Sequence, residues 1–161
     1  MLLLLVRESE TGSRLDPEAE EAVRPSFHEL LMETASIWAR RGTCPRLRVG
    51  AVLADNDRIL VQGYNGNVAG MQHCPDPHPE GPCETAVHAE ENVLYFAANR
   101  GISTSDTWLY VTHAPCYRCA RGIVNAGIEV VVYRDEYRSM DGVRLLRQAN
   151  VSVMKIDDIL F

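Results

Sequence analysis

His88-Ala89-Glu90 is answered further along the chain by Pro115-Cys116-Tyr117-Arg118-Cys119. Between them the two segments offer one imidazole, two thiols and a carboxylate, each with helix-forming sequence behind it. His88, Cys116 and Cys119 are zinc-type ligands. A structural zinc normally closes with four protein ligands, whereas a catalytic zinc keeps three and leaves one position for water. Three is the catalytic number, and Glu90 is the natural group to handle that water's protons. Either half alone is a weak signal, because Cys-x-x-Cys is also a redox pair and His-Ala-Glu is a common tripeptide. Joined in this order they are specific.

The spacing carries its own geometry. Cys116 and Cys119, three apart near a helix start, can face the same side, and the positive end of that helix favours their thiolates. His88 and Glu90 are two apart and do not face each other on a regular helix. They converge on one water only if His88 occupies the irregular first residues of its helix.

At 161 residues the chain is long enough for one domain with a sizeable core. A formal charge of −6, with 24% charged and 46% hydrophobic residues, is that of a soluble globular protein. The acidic balance argues against a general polynucleotide binder, which carries a basic stripe, but leaves room for a small anionic substrate in a local basic pocket. Met1 to Val6 is apolar, yet too short to span a membrane and without the basic flank and cleavage site of a secretory signal. A buried edge strand or a tail both fit it. Five cysteines without such a signal point to a reducing compartment and to metal ligation rather than disulfides. Cytoplasm is the expected location.

Residues 1–25 read as an N-terminal extension, polar and acid-rich from residue 7 to Pro25, and 26–161 as the catalytic domain. Ser26-Phe27-His28-Glu29 fits a capping box. Phe27, Leu30, Leu31, Thr34, Ile37 and Trp38 then form an apolar stripe expected to face the core, and Gly42 stops the helix. Val49 to Ala54 and Arg58 to Gly63 are β-rich runs joined by Asp55-Asn56-Asp57, a hairpin. Tyr64 to Cys83 is a long loop, a kind that tends to be functional. A helix runs from His88 to about Ala98 and ends at Gly101, followed by a strand over Trp108 to Thr112. Pro115 suits the first turn of the next helix, which reaches about Ala126 before Gly127. Val130 to Tyr133 is a strand, Gly142 to Gln148 a short helix and Val151 to Ile156 a last strand. This alternation predicts an α/β fold, a three-layer α/β/α sandwich around a mixed five-stranded sheet.

His-x-Glu followed by Pro-Cys-x-x-Cys is the order found in zinc deaminases. Hydrolysing an exocyclic amine on an aromatic ring needs hydroxide at neutral pH, which zinc supplies by lowering the pKa of water to about 7. Glu90 would take the water's proton, pass it to the ring nitrogen and later protonate departing ammonia. Four further stretches sharpen the match. They are Thr43-Cys44-Pro45-Arg46 leading to Val49-Gly50-Ala51-Val52; Gly63-Tyr64-Asn65-Gly66; Tyr110-Val111-Thr112-His113-Ala114-Pro115-Cys116; and Asn125-Ala126-Gly127-Ile128. From about residue 26 to 156 the chain resembles the deoxycytidylate (dCMP) deaminases of the cytidine deaminase superfamily.

The resemblance implies a cytidine deaminase-like fold, conversion of dCMP to dUMP in support of thymidylate synthesis, and a homo-oligomer, often a hexamer. In many members dCTP activates and dTTP inhibits. Carried over by position, Asn65 would contact the sugar hydroxyl, and the backbone around Ala89 and Ala114 would read the base edge. Arg46 and Arg48 are candidates for the phosphate, which needs a local cation in an acidic protein; solvated loop charges are the alternative. Two departures bear on regulation and monophosphate specificity. Many relatives carry an arginine shortly before the His-Ala-Glu segment, where this chain reads Glu84-Thr85-Ala86. Some regulated members carry one in the last turn of the following helix, where this chain has Asn99, with Arg100 adjacent.

The remaining cysteines form a second constellation. Cys44, Cys74 and Cys83, with His73 beside Cys74, have the make-up of a four-ligand structural zinc, and some relatives hold a second zinc near this loop. Against that set, neighbours such as His73 and Cys74 rarely both reach one metal. His78 is an alternative fourth ligand, and buried free thiols are the other reading. His28 is expected to be structural; His113 either lines the pocket or packs. Two other functions compete with dCMP deamination. One is the same chemistry on another amine-bearing base or nucleoside, the tRNA version being disfavoured by the acidic charge. The other is a zinc-stapled interaction domain without catalysis, against which Glu90 argues.

Overall fold

Ser26 starts the first helix as its sequence dictates. Its hydroxyl accepts the N–H of Glu29 at 3.2 Å, and the Glu29 carboxylate accepts the N–H of Ser26 at 2.7 Å. The structure, a computed structural model, describes residues 24–78, 80–81 and 83–159. The expected N-terminal extension, Met1 to Val6 included, therefore lies outside the described residues except for residues 24 and 25.

The first helix is α1 (Phe27–Ala39), followed by β1 (Gly50–Asp55), β2 (Arg58–Tyr64) and two short strands, β3 (Gly66–Asn67) and β4 (Ala86–Val87). Then come α2 (Ala89–Arg100), β5 (Trp108–His113), α3 (Tyr117–Asn125), β6 (Val130–Asp135), α4 (Asp141–Gln148) and β7 (Ser152–Lys155). Five strands form one sheet in the order β2-β1-β5-β6-β7. The β1–β2 and β1–β5 pairs are antiparallel, with Leu53 opposite both Val61 and Leu109; β5–β6 and β6–β7 are parallel. The expected mixed five-stranded sheet is present.

Strand periodicity divides the core into two layers. Ala51, Leu53, Leu109, Val111, Val131 and Tyr133 face α2, α3 and α4, whose Val93, Ala97, Ala120, Ile123, Val143 and Leu146 close over them. The alternate positions Val52, Ala54, Tyr110, Val130 and Val132 face α1 through Leu31, Met32 and Ala35. Each fully buried Val, Leu or Ile contributes roughly 1.5–3 kcal/mol, so the alternation alone fixes which side of every strand meets which helix. α1 lies directly on β1: a Cβ added at Gly50 would sit 1.9 Å from the carbonyl oxygen of Ala35.

Three expectations are corrected. The buried face of α1 runs through Leu31, Met32 and Ala35, while Phe27, Leu30 and Ile37 are 51%, 42% and 62% exposed. Contact with the sheet rotates the predicted stripe outward by about one position. The long loop after β2 is not wholly irregular, since β3 and β4 pair antiparallel with Gly66 opposite Val87. That pairing brings the loop's end back beside His88. Pro115 lies outside the first turn of α3, whose N-cap is Cys116. Among the described residues, no helix is long and apolar enough to cross a membrane.

Candidate active site

His88 is the N-cap of α2, with extended backbone at φ −74° and ψ 159°, and so stands off the helical spiral that carries Glu90. The geometric condition set by its spacing from Glu90 is met in this way. Cys116 is likewise the N-cap of α3, at φ −70° and ψ 167°, with Cys119 one turn on. His88 Nδ1 lies 3.5 Å from Cys116 Sγ and 3.3 Å from Cys119 Sγ. The three ligand atoms all fall within 4.8 Å of one another. A tetrahedral zinc with nitrogen at about 2.0–2.1 Å and sulfur at about 2.3 Å has N···S edges of about 3.5 Å. The donor set fits that ion in chemistry and in spacing.

The carboxylate beside them is 4% exposed. Burial lifts the Glu90 pKa to about 7, against the opposing pull of its own backbone N–H and of His88. A carboxyl poised there exchanges protons in both directions near neutrality. Cys116 is drawn down to about 3, first by its hydrogen bond with Cys119 and then by His88, against burial. Cys119 is pushed up by the same bond and by burial. The pair favours a thiolate facing the imidazole, whose own pKa that contact raises.

The surrounding residues hold these pieces in register. Glu91 accepts the backbone N–H of His88 at 3.0 Å and pairs with Arg118, which also donates to the carbonyl of Ala86 at 3.0 Å. Asn92 donates to the carbonyl of Tyr64 at 2.6 Å, tying α2 to the end of β2. A Cβ at Gly142 would lie 2.0 Å from the carbonyl oxygen of Pro115, so the first turn of α4 is seated on the Cys116 segment. Sequence reading missed these three roles. An acid three residues after the N-cap is a visible signal for Glu91; nothing local marks Gly142.

The candidate substrate residues are placed unevenly. Ala89 and Ala114 are buried, and Ala114 gives its N–H to the carbonyl of Asp135 at 2.8 Å. Asn65, just after β2, ties down the segment that leads into β1, accepting the N–H of Val49 and donating to the carbonyl of Leu47, both at 2.8 Å. Arg46 and Arg48 are exposed, and Arg46 donates to the carbonyl of Gly81 at 2.8 Å. His113 contacts Thr112 Oγ1 at 3.2 Å and Asp135 at 3.8 Å, with its pKa lowered chiefly by burial. His28 lies 2.7 Å from the Tyr110 hydroxyl and stacks on Trp108, a structural setting.

A second group of ligand-type side chains comes together at the base of the long loop: Cys74, His78 and Cys83. Cys74 Sγ and Cys83 Sγ are 3.7 Å apart, close to the S···S edge of about 3.8 Å for tetrahedral zinc. Asn67 Oδ1 sits against both thiols, at 3.3 and 3.8 Å. The Cys83 pKa falls to about 7, first through its contact with the Thr85 hydroxyl. That of Cys74 rises through desolvation, then through its hydrogen bond with Cys83 and the charge of Cys83, with Cys44 adding to the rise. Cys44 and His73 are not in the group: Cys44 bears on Cys74 through its charge, and His73 is exposed and borders a separate groove with Met71 and Tyr95. Cys74 is half-buried beside Cys83, while its neighbour His73 is exposed.

Residues 25–135 match the family model for the cytidine and deoxycytidylate deaminase zinc-binding region. The chain is 36% identical to ComE operon protein 2 of Bacillus subtilis, the alignment covering 83% of this chain and 73% of that one. It is 34% identical to the deoxycytidylate deaminase of Schizosaccharomyces pombe over 81% of its own length, and spans 44% of that longer protein. Among solved structures, the dCMP deaminase of cyanophage S-TIM5 in complex with dCMP and dUMP superposes with a TM-score of 0.75. That match has 36% identity and covers 82% of this chain and 98% of the phage enzyme. Sheet order, donor trio, family match and relatives agree, and the chain belongs to the cytidine and deoxycytidylate deaminase family.

Proposed function

We propose that this zinc-dependent deaminase converts dCMP and water to dUMP and ammonia. The observation that carries the reading is the set of three donors at zinc spacing beside the buried carboxyl of Glu90. Nucleotide rather than nucleoside is favoured by the likeness to the phage enzyme that was crystallised with dCMP and dUMP.

His88, Cys116 and Cys119 would hold the zinc. Bound there, the ion lowers the pKa of water to about 7. Glu90 takes the proton of the attacking water and delivers it to the ring nitrogen beside the reacting carbon. It then takes the second proton, from the hydroxyl now on that carbon, and gives it to the exocyclic amino group, which leaves as ammonia as the carbonyl forms. Burial serves this exchange, because a carboxyl lifted to about 7 gives up a proton as readily as it takes one. Asn65, held by its two backbone hydrogen bonds, keeps acceptor capacity on Oδ1 for a sugar hydroxyl. The backbone at Ala89 and Ala114 faces the base, and Arg46 and Arg48 are the cations for the phosphate.

The same reading assigns residues 26–161 to the deaminase domain and a second, structural zinc to Cys74, His78 and Cys83, with Cys44 as the fourth ligand. It places the enzyme with the free nucleotides of the cytoplasm, without a polynucleotide partner. It also assigns a homo-oligomer. Val68, Met71, Tyr95 and Phe96, all exposed, line one groove of about 510 Å3, an apolar surface suited to a second copy. Sedimentation of the purified protein decides that point.

The substrate test is kcat/KM for dCMP, deoxycytidine and cytosine at two salt concentrations. One charge-assisted phosphate contact is worth about 1.5–3 kcal/mol, so dCMP should lead by roughly tenfold or more, and salt should erode the margin. Equal values for dCMP and deoxycytidine, unmoved by salt, transfer the enzyme to a nucleoside or nucleobase.

A further inference from the structure

The metal-ligand segments are joined by a contact that lies outside the donor set. Glu91 Oε2 accepts the backbone N–H of His88 at 3.0 Å, and the same oxygen takes a hydrogen bond from Arg118 Nη2. That nitrogen also donates to the carbonyl of Ala86 at 3.0 Å. Arg118 stands between Cys116 and Cys119, while Glu91 is in the first turn of α2. One ion pair thus ties Ala86 of β4, the His88 backbone and the first turn of α3. The Glu91 side chain is only 12% exposed, so half of the pair is shielded from water even though Arg118 is open at 53%.

An ordinary surface pair contributes little. This one differs in what it connects. His88 reaches the thiols across two helix starts that share no continuous backbone hydrogen bonding, so their separation depends on side chains. We infer that Glu91 and Arg118 form a positioning clamp, which sets the distance between the histidine and cysteine ligands and so governs how tightly the site retains zinc. The inference rests on the reading of His88, Cys116 and Cys119 as the metal ligands. Neither residue belongs to the donor trio.

The test is zinc release from the intact, zinc-loaded protein into a chromogenic chelator. His88→Ala identifies the phase belonging to this site, distinct from any zinc held by Cys74 and Cys83. Partners lying behind metal ligands typically govern affinity by 10–100-fold, so Glu91→Ala and Arg118→Ala should each speed that phase about tenfold or more. The double variant should be no faster than the quicker single, because both remove one contact. Glu91→Gln, which keeps an acceptor for the His88 N–H, and Arg118→Lys, which keeps a donor, should recover most of the retention. Release at the wild-type rate in both alanine variants, or effects that multiply in the double, overturns the clamp. Zinc content and release unaltered by His88→Ala would overturn the ligand reading itself, and the clamp with it.

Discussion

His88 and Cys116, the N-caps of α2 and α3, approach to 3.5 Å between Nδ1 and Sγ. Two helices therefore aim their positive ends at one point. Neither imidazole nor thiol is a preferred N-cap; here the two side chains face each other as a donor pair. Extended backbone at each cap frees the side chain from the spiral and turns it toward its counterpart. Glu90, in the first turn of α2, is held beside the converging helix ends, where their positive potential favours negative charge.

Glu90→Gln keeps shape and burial but removes the proton carrier. Turnover should fall by about 10²–10⁴-fold, the usual range for a general acid–base group. Zinc content should stay at the wild-type level, since the carboxylate is outside the donor trio. Kinetics paired with metal analysis checks both halves. A near-normal rate at full zinc content sinks the assignment.

Gly142→Ala should injure the site without touching a ligand. Its Cβ would come within 2.0 Å of the Pro115 carbonyl oxygen and 2.7 Å of the Cys116 carbonyl carbon, both of them backbone atoms. Overpacking of this kind costs about 1–3 kcal/mol, and relief requires α4 to lift from the Cys116 segment. Thermal unfolding should show a lower Tm, and zinc should leave faster than from wild type. Unchanged values of both would mean that α4 does not support the site.

Tyr110 gives a prediction in pH. It is 1% exposed with its hydroxyl 2.7 Å from His28 Nδ1, and burial pushes its pKa up to about 12. Unfolded, it titrates near 10. Between about pH 10 and 12 the unfolded chain has lost a proton that the folded one keeps, so stability falls as pH rises. The contribution is complete below about pH 10 and gone above about 12. Tyr110→Phe should be less stable at pH 7 by about 0.5–1.5 kcal/mol for the lost hydrogen bond, yet decline less between pH 9 and 11. Urea unfolding of both proteins across that range is the measurement; parallel declines would contradict the burial argument.

The parts legible in the sequence are those written in local patterns. Alternation in Ala51-Val52-Leu53-Ala54 and in Val130-Val131-Val132-Tyr133 reads directly as strands with two buried faces, as the structure has them. The capping box at Ser26 is found as read. The donor trio was legible because its spacing is chemical. What local pattern cannot give is the direction in which a helix face meets the sheet, hence the outward turn of Phe27 and Ile37. Nor can it say which of two histidines in an irregular loop turns inward. Only the folded loop, which gathers Cys74, His78 and Cys83, selects His78 over His73.

That selection yields the last prediction. Cys74, His78 and Cys83 place their ligand atoms within 4.8 Å of one another. Cys44 is near enough to raise the Cys74 pKa. Cys44 lies outside that cluster; were it to close in as a fourth ligand, the set would match a structural zinc site with no position for water. Protein purified without added metal should carry about two zinc ions per chain. Cys74→Ser, Cys83→Ser and His78→Ala should each bring the content toward one, with a lowered Tm, because metal binding free energy is also folding free energy. His73→Ala should leave two. His88→Ala should also leave one, but it should abolish turnover, which separates the two sites. The opposite pattern is one zinc per chain in wild type, unchanged by Cys74→Ser. It would make the loop cysteines ordinary thiols gathered around Asn67, and the loop would then be held by hydrogen bonds alone.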